Sequence, residues 1–234
     1  MAAHDDLVNC VAGSAGQVVT GSRDGRARVW DPRRLGRSTA SMEPEEGGPT
    51  HDCWAVACST DGHTVIGGYS NGDIRLFDLR RPAGCLWATE LPGGVTSLEV
   101  GEGRLVGATV TGGLHLWDLA TRHPEFGYCR TDGRVEGGCL WQVAACPLAP
   151  GTLAAATQAG ALQLVAHEAP LATTVESTDG REVGVPGHLL LSNSAQLADK
   201  PVTSLAWSPD KAGLLAATSF DQTLRVCLAT NLPT

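Results

Sequence analysis

The sequence has no long apolar run and no excess of basic residues, and each absence excludes a class of function. The longest apolar stretches, such as 187–191, are strand-sized, far short of the roughly 18–20 residues that a membrane-spanning helix needs. Seventeen Lys and Arg against 25 Asp and Glu leave a net charge of −8, which argues against binding to duplex DNA or to an anionic membrane surface. The first six residues lack the basic and apolar regions of a signal peptide. We therefore expect a cytoplasmic protein that binds neither nucleic acid nor membrane.

The chain also lacks the residue groupings that metal sites and enzymes need. Its eight cysteines include no C-x2-C pair, and none has a histidine nearby at a zinc-binding spacing, so we expect reduced, mostly buried thiols and no metal. A G-x-S-x-G pattern at 68–72 matches the nucleophile elbow of hydrolases at Ser70, but a strand rather than a helix follows it, which favours a turn. The sequence therefore predicts no catalytic residue, no cofactor and no enzymatic activity.

One unit recurs five times along the chain. Each unit is an apolar run of small residues, then a turn, then a run of alternating apolar and polar residues; another strand precedes it, and in the first three units an outer strand follows. The turns align at Gly25, Gly72, Gly112, Gly160 and Gln222. The repeats span about 4–44, 51–91, 94–130, 139–195 and 201–231 of a single domain covering 1–234, with an insertion at about 168–187. Such spacing predicts an antiparallel all-β repeat protein.

Several of these strings resemble WD40 repeats. Trp-Asp stands at 30–31 and 117–118, Phe-Asp stands at 77–78, and a turn glycine precedes each pair. Longer strings, such as Ser-Phe-Asp-Gln-Thr at 219–223, are similar to the WD40 proteins of the axonemal dynein assembly factor class, in the same order over almost the whole chain. The resemblance implies a WD40 β-propeller with five recognisable blades. Because members of that class are seven-bladed, the alternatives are an N-terminally truncated seven-bladed ring and a complete five-bladed one.

The same resemblance implies a function. It implies a non-enzymatic scaffold that helps to assemble axonemal dynein arms, with axonemal dynein chains and RuvB-like ATPase and prefoldin-like co-chaperones as partners, and a link to apoptosis. A propeller suits a scaffold because it holds many loops in fixed positions and needs no chemistry of its own. In the first blade the resemblance also implies a structural tetrad, hydrogen-bonded among His4, Ser22, Asp24 and Trp30.

Two groups of residues are candidate protein-binding sites. Residues just before the hairpin turns, and two tryptophans of the inner strands, are expected at one rim of the blades, where aromatic and Arg side chains are typical of binding hot spots. This group is Arg23, Trp54, Ser70, Trp141, Gln158 and Phe220. The alternative for the tryptophans is plain packing within the blades. The second group is Arg33 and Arg80, whose W-D-x-R-like motifs are similar to those of substrate receptors of cullin-type ubiquitin ligases, and that role is the alternative functional hypothesis.

Overall fold

The regular structure of the described residues is entirely β. A computed structural model describes residues 3–14, 16–34, 36–42, 50–81, 84–123, 127–176, 180, 182–230 and 232. Within these ranges all 21 regular elements are strands, which confirms the predicted all-β class. Nothing in the described part of the chain is a helix of the length and apolarity needed to cross a bilayer. The chain divides into two compact units, Met1–Gly101 and Glu102–Thr234.

The first unit contains two four-stranded antiparallel sheets, here called blades one and two, and one further strand. Blade one is β1 (Val8–Ser14), β2 (Gln17–Ser22), β3 (Ala27–Trp30) and β4 (Ala40–Met42). Blade two is β5 (Cys53–Cys58), β6 (Thr64–Tyr69), β7 (Asp73–Asp78) and β8 (Trp87–Glu90). The further strand is β9 (Val95–Gly101). In each blade the strands pair in chain order, as the meander of hairpins in the sequence predicts.

The second unit continues the same pattern through blades three, four and five. The strands of blade three that belong to this unit are β10 (Arg104–Thr109), β11 (Gly113–His123) and β12 (Gly127–Arg134). Blade four begins with β13 (Leu140–Ala145), β14 (Thr152–Thr157) and β15 (Ala161–Glu168). A separate hairpin, β16 (Thr174–Glu176) with β17 (Glu182–Gly184), lies within the predicted insertion, and β18 (His188–Gln196) then pairs with β15. Blade five is β19 (Val202–Trp207), β20 (Leu214–Ser219) and β21 (Leu224–Leu228).

The five aligned turns share one geometry. In each, the residue at the aligned position donates its amide to the carbonyl three residues earlier at 3.1 Å and has a positive φ. Glycine occupies four of these positions, because an L side chain is disfavoured in the left-handed region. The fifth is Gln222, at φ 64°. The five turn positions that were aligned from the sequence are therefore structurally equivalent.

Apolar faces of adjacent blades form the core. In the first unit, buried side chains of blade one, such as Val19 and Val29, pack against Val56, Val65 and other side chains of blade two. In the second unit one cluster joins blades three and four, and another joins blades four and five. Buried and half-buried residues alternate along β3, whereas the first five residues of β15 are all buried, because neighbouring blades cover both faces of blade four. This packing holds the blade ends, where loops meet solvent, in fixed positions.

Candidate protein-binding rim

A repeated backbone hydrogen bond fixes the residue two positions before the aligned turn residue, here called the pre-turn residue. In four blades the amide of this pre-turn residue donates to a carbonyl just before the first strand of the same blade, at 2.8–3.0 Å. The donor–acceptor pairs are Arg23 to Leu7, Ser70 to Asp52, Gln158 to Cys139 and Phe220 to Pro201. Four of the residues predicted from sequence to lie at one rim therefore occupy equivalent places in their blades.

In four blades a β-bulge lies near the start of the first strand, at the same end as the pre-turn residue. The register of the first strand shifts by one residue near its start in four blades, which leaves one residue without a direct partner on the second strand. These bulged residues are Asn9, Trp54, Trp141 and Thr203. The two tryptophans thus occupy equivalent bulged positions in blades two and four. We call the pre-turn and bulged residues of each unit its turn rim.

In the second unit the turn rim carries an aromatic pair. Trp141 of blade four and Phe220 of blade five meet edge to face, with ring centroids 5.3 Å apart and ring planes at 87°. Even so, Phe220 is 59% and Trp141 38% exposed. Below the pair, the side-chain amide of Gln142 accepts from the Leu205 amide at 2.7 Å and donates to the Leu205 carbonyl at 3.1 Å, which locks the two blades together. Rigid, exposed aromatic side chains of this kind are typical anchors of protein interfaces.

Gln158 has a different role on this rim. Its side chain is exposed, but its side-chain carbonyl oxygen lies 3.4 Å from the Cys139 amide, close to the backbone bond that joins the same two residues. Gln158 therefore caps the start of blade four beside Trp141.

In the first unit the turn rim is more polar and its tryptophan is packed. Ring carbons of Trp54 lie 2.6 and 3.1 Å from where a Cβ of Gly94 would be, so the half-buried indole covers that glycine. Arg23 points its Nε at Asp52 Oδ2 at 3.8 Å, and Ser70 is bonded to the same residue through its backbone. The packing interpretation therefore suits Trp54 better than Trp141.

The first blade contains a buried chain of polar side chains, and it differs from the predicted tetrad at one position. Trp30 Nε1 donates to Thr20 Oγ1 at 2.8 Å, and Thr20 Oγ1 lies 2.7 Å from His4 Nε2. His4 Nδ1 lies 3.0 Å from Asp24 Oδ2. Thr20, rather than Ser22, therefore supplies the linking hydroxyl. Ser22 stands two residues nearer the turn, where its Oγ accepts from the Asp24 amide at 3.1 Å.

The carboxylate of Asp24 closes this chain. Partial burial by itself opposes ionisation, but hydrogen bonds from the Asp5 and Arg26 amides, together with His4, outweigh it and lower the pKa of Asp24. Because the acidic partner stays ionised, His4 Nδ1–H is the donor to Asp24, and Nε2 is hydrogen-bonded to the Thr20 hydroxyl. The network ties the segment before β1 to the first turn.

The two W-D-x-R-like arginines lie at the far ends of β3 and β7 from the turns of their blades. Arg80 donates from Nε and Nη2 to the two oxygens of Asp78, both at 2.9 Å, and Arg33 Nε donates to Asp31 at 3.2 Å. The bidentate Arg80 side chain, with its backbone amide, lowers the pKa of Asp78 to about 2. Each Arg is thus paired with the aspartate of its own motif.

The aspartate of these motifs has a structural task that needs no arginine. Asp31 and Asp78 accept from the backbone amides of Arg33 and Arg80 at 2.9 and 3.0 Å. In blade three Asp118 accepts from the amide of Ala120 at 2.9 Å in the same way. Such side-chain caps of turns explain the aspartate without any ligand.

Among the described residues, no three His, Cys, Asp or Glu side chains are grouped as metal ligands would be. Ser70 lies in the turn between β6 and β7, as the turn interpretation of its motif predicts. Two features that shape the turn rim were not predicted from the sequence: the β-bulges and the hydrogen bonds between Gln142 and Leu205. The recurrence of a polar or aromatic residue at the second position of each first strand was the signal for the bulges.

Comparison with known proteins adds three results. The family model for the WD domain, G-beta repeat, matches residues 1–31 and 187–227. Dynein axonemal assembly factor 10 of Homo sapiens is 37% identical over 246 residues, which cover 98% of this chain and 69% of that protein. The protein of the same name from Chlamydomonas reinhardtii is 31% identical over 248 residues, covering 98% of this chain and 69% of its own length.

Solved structures match the fold. One chain of a mitotic checkpoint complex superposes with a TM-score of 0.76 at 16% identity, over 98% of this chain and 64% of that one. The WD40 β-propeller domain of Doa1 gives a TM-score of 0.69 at 15% identity, over 96% of this chain and 66% of that one. The chain therefore spans about two thirds of the length of these propellers. The predicted WD40 propeller fold with five recognisable blades is confirmed.

Proposed function

Because this chain belongs to the WD40-repeat family of dynein axonemal assembly factor 10, we propose that it is a non-enzymatic scaffold in the cytoplasmic assembly of axonemal dyneins. The observation that carries the proposal is the 31–37% identity, over 98% of the chain, to relatives that bear this name. Its partners are proteins: axonemal dynein chains, and RuvB-like ATPase and prefoldin-like co-chaperones that act beside it. A further link to apoptosis belongs to the same proposal.

The turn rim of the second unit is the proposed binding surface. Trp141 and Phe220 expose a large apolar area on a support locked by the Gln142–Leu205 link, so little ordering entropy is lost when a partner covers them. Polar residues such as Gln158 border the pair, which is the usual composition of a hot spot and its surroundings. On the first unit, Arg23 and Ser70 make the turn rim polar, and Trp54 packs beside them against Gly94.

Affinity purification from ciliated cells, followed by quantitative mass spectrometry, tests this function. The wild-type chain is expected to recover axonemal dynein heavy chains and RuvB-like ATPases. A double variant, Trp141→Ala with Phe220→Ala, is expected to lose at least one of these partners. Leu148→Ala is the matched control, because Leu148 is 45% exposed in the turn at the opposite end of β13.

The same purification distinguishes the ubiquitin-ligase alternative. A ligase receptor would recover a cullin adaptor and would lose it when Arg33 and Arg80 are changed to Ala. The assembly proposal predicts that those changes leave the recovered partners unaltered, since both side chains are already paired with Asp31 and Asp78. Recovery of an adaptor alone, dependent on both arginines, would overturn the proposal.

A further inference from the structure

Two cysteines from adjacent blades of the first unit meet at a glycine. Cys10 lies on β1 and Cys53 on β5. A Cβ placed on Gly21 would lie 2.6 Å from Cys10 Sγ and 2.7 Å from Cys53 Sγ. Because both sulfurs are that close to one point, they are at most about 5.3 Å apart, the sum of the two distances. The missing side chain of Gly21 is what leaves room for both thiols.

The backbones next to the thiols are held together as well. Asn9, the bulged residue of β1, donates its side-chain amide to the Cys53 carbonyl at 3.1 Å. The sulfur of Cys10 lies 4.0 Å from the same carbonyl oxygen. A disulfide needs sulfurs about 2 Å apart, so the Cys10 and Cys53 side chains must turn toward each other for the bond to form.

The two thiols differ in exposure and in acidity. Cys53 is fully buried, whereas Cys10 is half-buried. The hydrogen bond from Cys53 lowers the pKa of the Cys10 thiol, and the same contact, with burial, raises the pKa of Cys53. A thiolate is the form that reacts with oxidants, so Cys10 is the group that reacts first and Cys53 the one that follows.

We propose that Cys10 and Cys53 are an oxidative modification site, a dithiol that hydrogen peroxide converts into a disulfide linking the first strands of blades one and two. In the first step the Cys10 thiolate attacks one peroxide oxygen, the O–O bond breaks, and the departing oxygen leaves as water after taking up a proton. Cys10 is then a sulfenic acid. In the second step the Cys53 sulfur attacks the Cys10 sulfur, the S–S bond forms, the S–O bond breaks, and the hydroxide leaves as water with the proton of Cys53. Two thiols and one peroxide give one disulfide and two waters.

The test is mapping of the thiols after limited oxidation. The fully reduced chain, carrying Cys85→Ser to remove an exposed thiol, is treated with one equivalent of hydrogen peroxide, then denatured and alkylated with N-ethylmaleimide. We expect two of its remaining seven thiols to escape alkylation and one cross-linked peptide, Cys10 to Cys53, that dithiothreitol reverses. The cross-link should raise the midpoint of thermal unfolding by about 5 °C or more.

Two variants separate the roles of the thiols. Cys10→Ser is expected to abolish the cross-link, and Cys53→Ala is expected to leave Cys10 as a sulfenic acid that dimedone traps. Cys139 is an internal control, since it is also half-buried but burial raises the pKa of its thiol, so it should be modified more slowly than Cys10. Two outcomes would overturn the proposal: complete alkylation of all seven thiols after oxidation, or a cross-link that persists in Cys10→Ser. Both are measured on chains that retain Cys53, so neither outcome can be caused by its loss.

Discussion

Replacing Thr20 by Val tests the hydrogen-bonded chain in the first blade. Val has nearly the shape of Thr, so the change removes the hydroxyl that joins Trp30 Nε1 and His4 Nε2 and alters packing little. His4 is 5% exposed, and its ring nitrogen would be left without a partner. An unsatisfied buried polar group costs about 1–3 kcal/mol. With a smaller contribution from the half-buried Trp30, the free energy of unfolding should fall by about 2–4 kcal/mol.

The matched control is Ser22→Ala on the same strand. Ser22 Oγ accepts from the Asp24 amide at 3.1 Å and donates to the Asp6 carbonyl at 3.4 Å, so its removal breaks one ordinary bond and one long one. That should cost about 1 kcal/mol. Equilibrium urea unfolding, followed by circular dichroism, measures both values. If Ser22→Ala costs as much as Thr20→Val, Ser22 is the linking residue and the structural assignment is wrong.

Three further outcomes are expected at other positions. Gly160→Ala should lower the free energy of unfolding by about 3 kcal/mol or more in the same urea assay, because φ is +87° and the new Cβ would lie 2.0 Å from the Ala198 carbonyl oxygen. Gln222→Gly should instead raise it by roughly 0.5 kcal/mol, since the left-handed conformation at φ 64° is strained for Gln; an unchanged or lower value would contradict this. The pKa of Asp78, lowered to about 2 by Arg80, makes this pair stabilising above the ordinary pKa of 3.8, and that contribution should disappear as the pH falls from about 4 to 2. Thermal unfolding midpoints of the wild type and Asp78→Asn should therefore converge over that pH interval.

The blades and their turns were predictable because local chemistry determines them. A residue in the left-handed conformation ends each turn, and glycine fills four of those five positions. The sequence alignment of the turns therefore also identified the fifth left-handed position, where Gln222 replaces glycine. Outer strands of the first three repeats were also expected close to where β4, β8 and β12 lie. The outer strand of blade four, β18, was not identified as such, because the hairpin of β16 and β17 separates it from β15.

The details of the sites depend on register, which the pattern alone does not reveal. Thr20 and Ser22 point to the same face of β2, so alternation cannot decide which of them meets His4. The contact between Trp141 and Phe220 was also hidden, because two different blades supply the rings and one of them lies at a bulge. Equivalent sequence positions identified both residues as rim residues, and only packing between blades brings them together.

The central claim, that the turn rim of the second unit contacts proteins of dynein assembly, is tested most directly by site-specific photo-crosslinking. Benzoylphenylalanine in place of Phe220 keeps an aromatic ring at that site, and the same probe in place of Leu148 samples the opposite end of blade four. In ciliated cells we expect cross-links from position 220 to axonemal dynein chains or their co-chaperones, and far fewer from position 148. Cross-links to those proteins from 148 with none from 220 would contradict it.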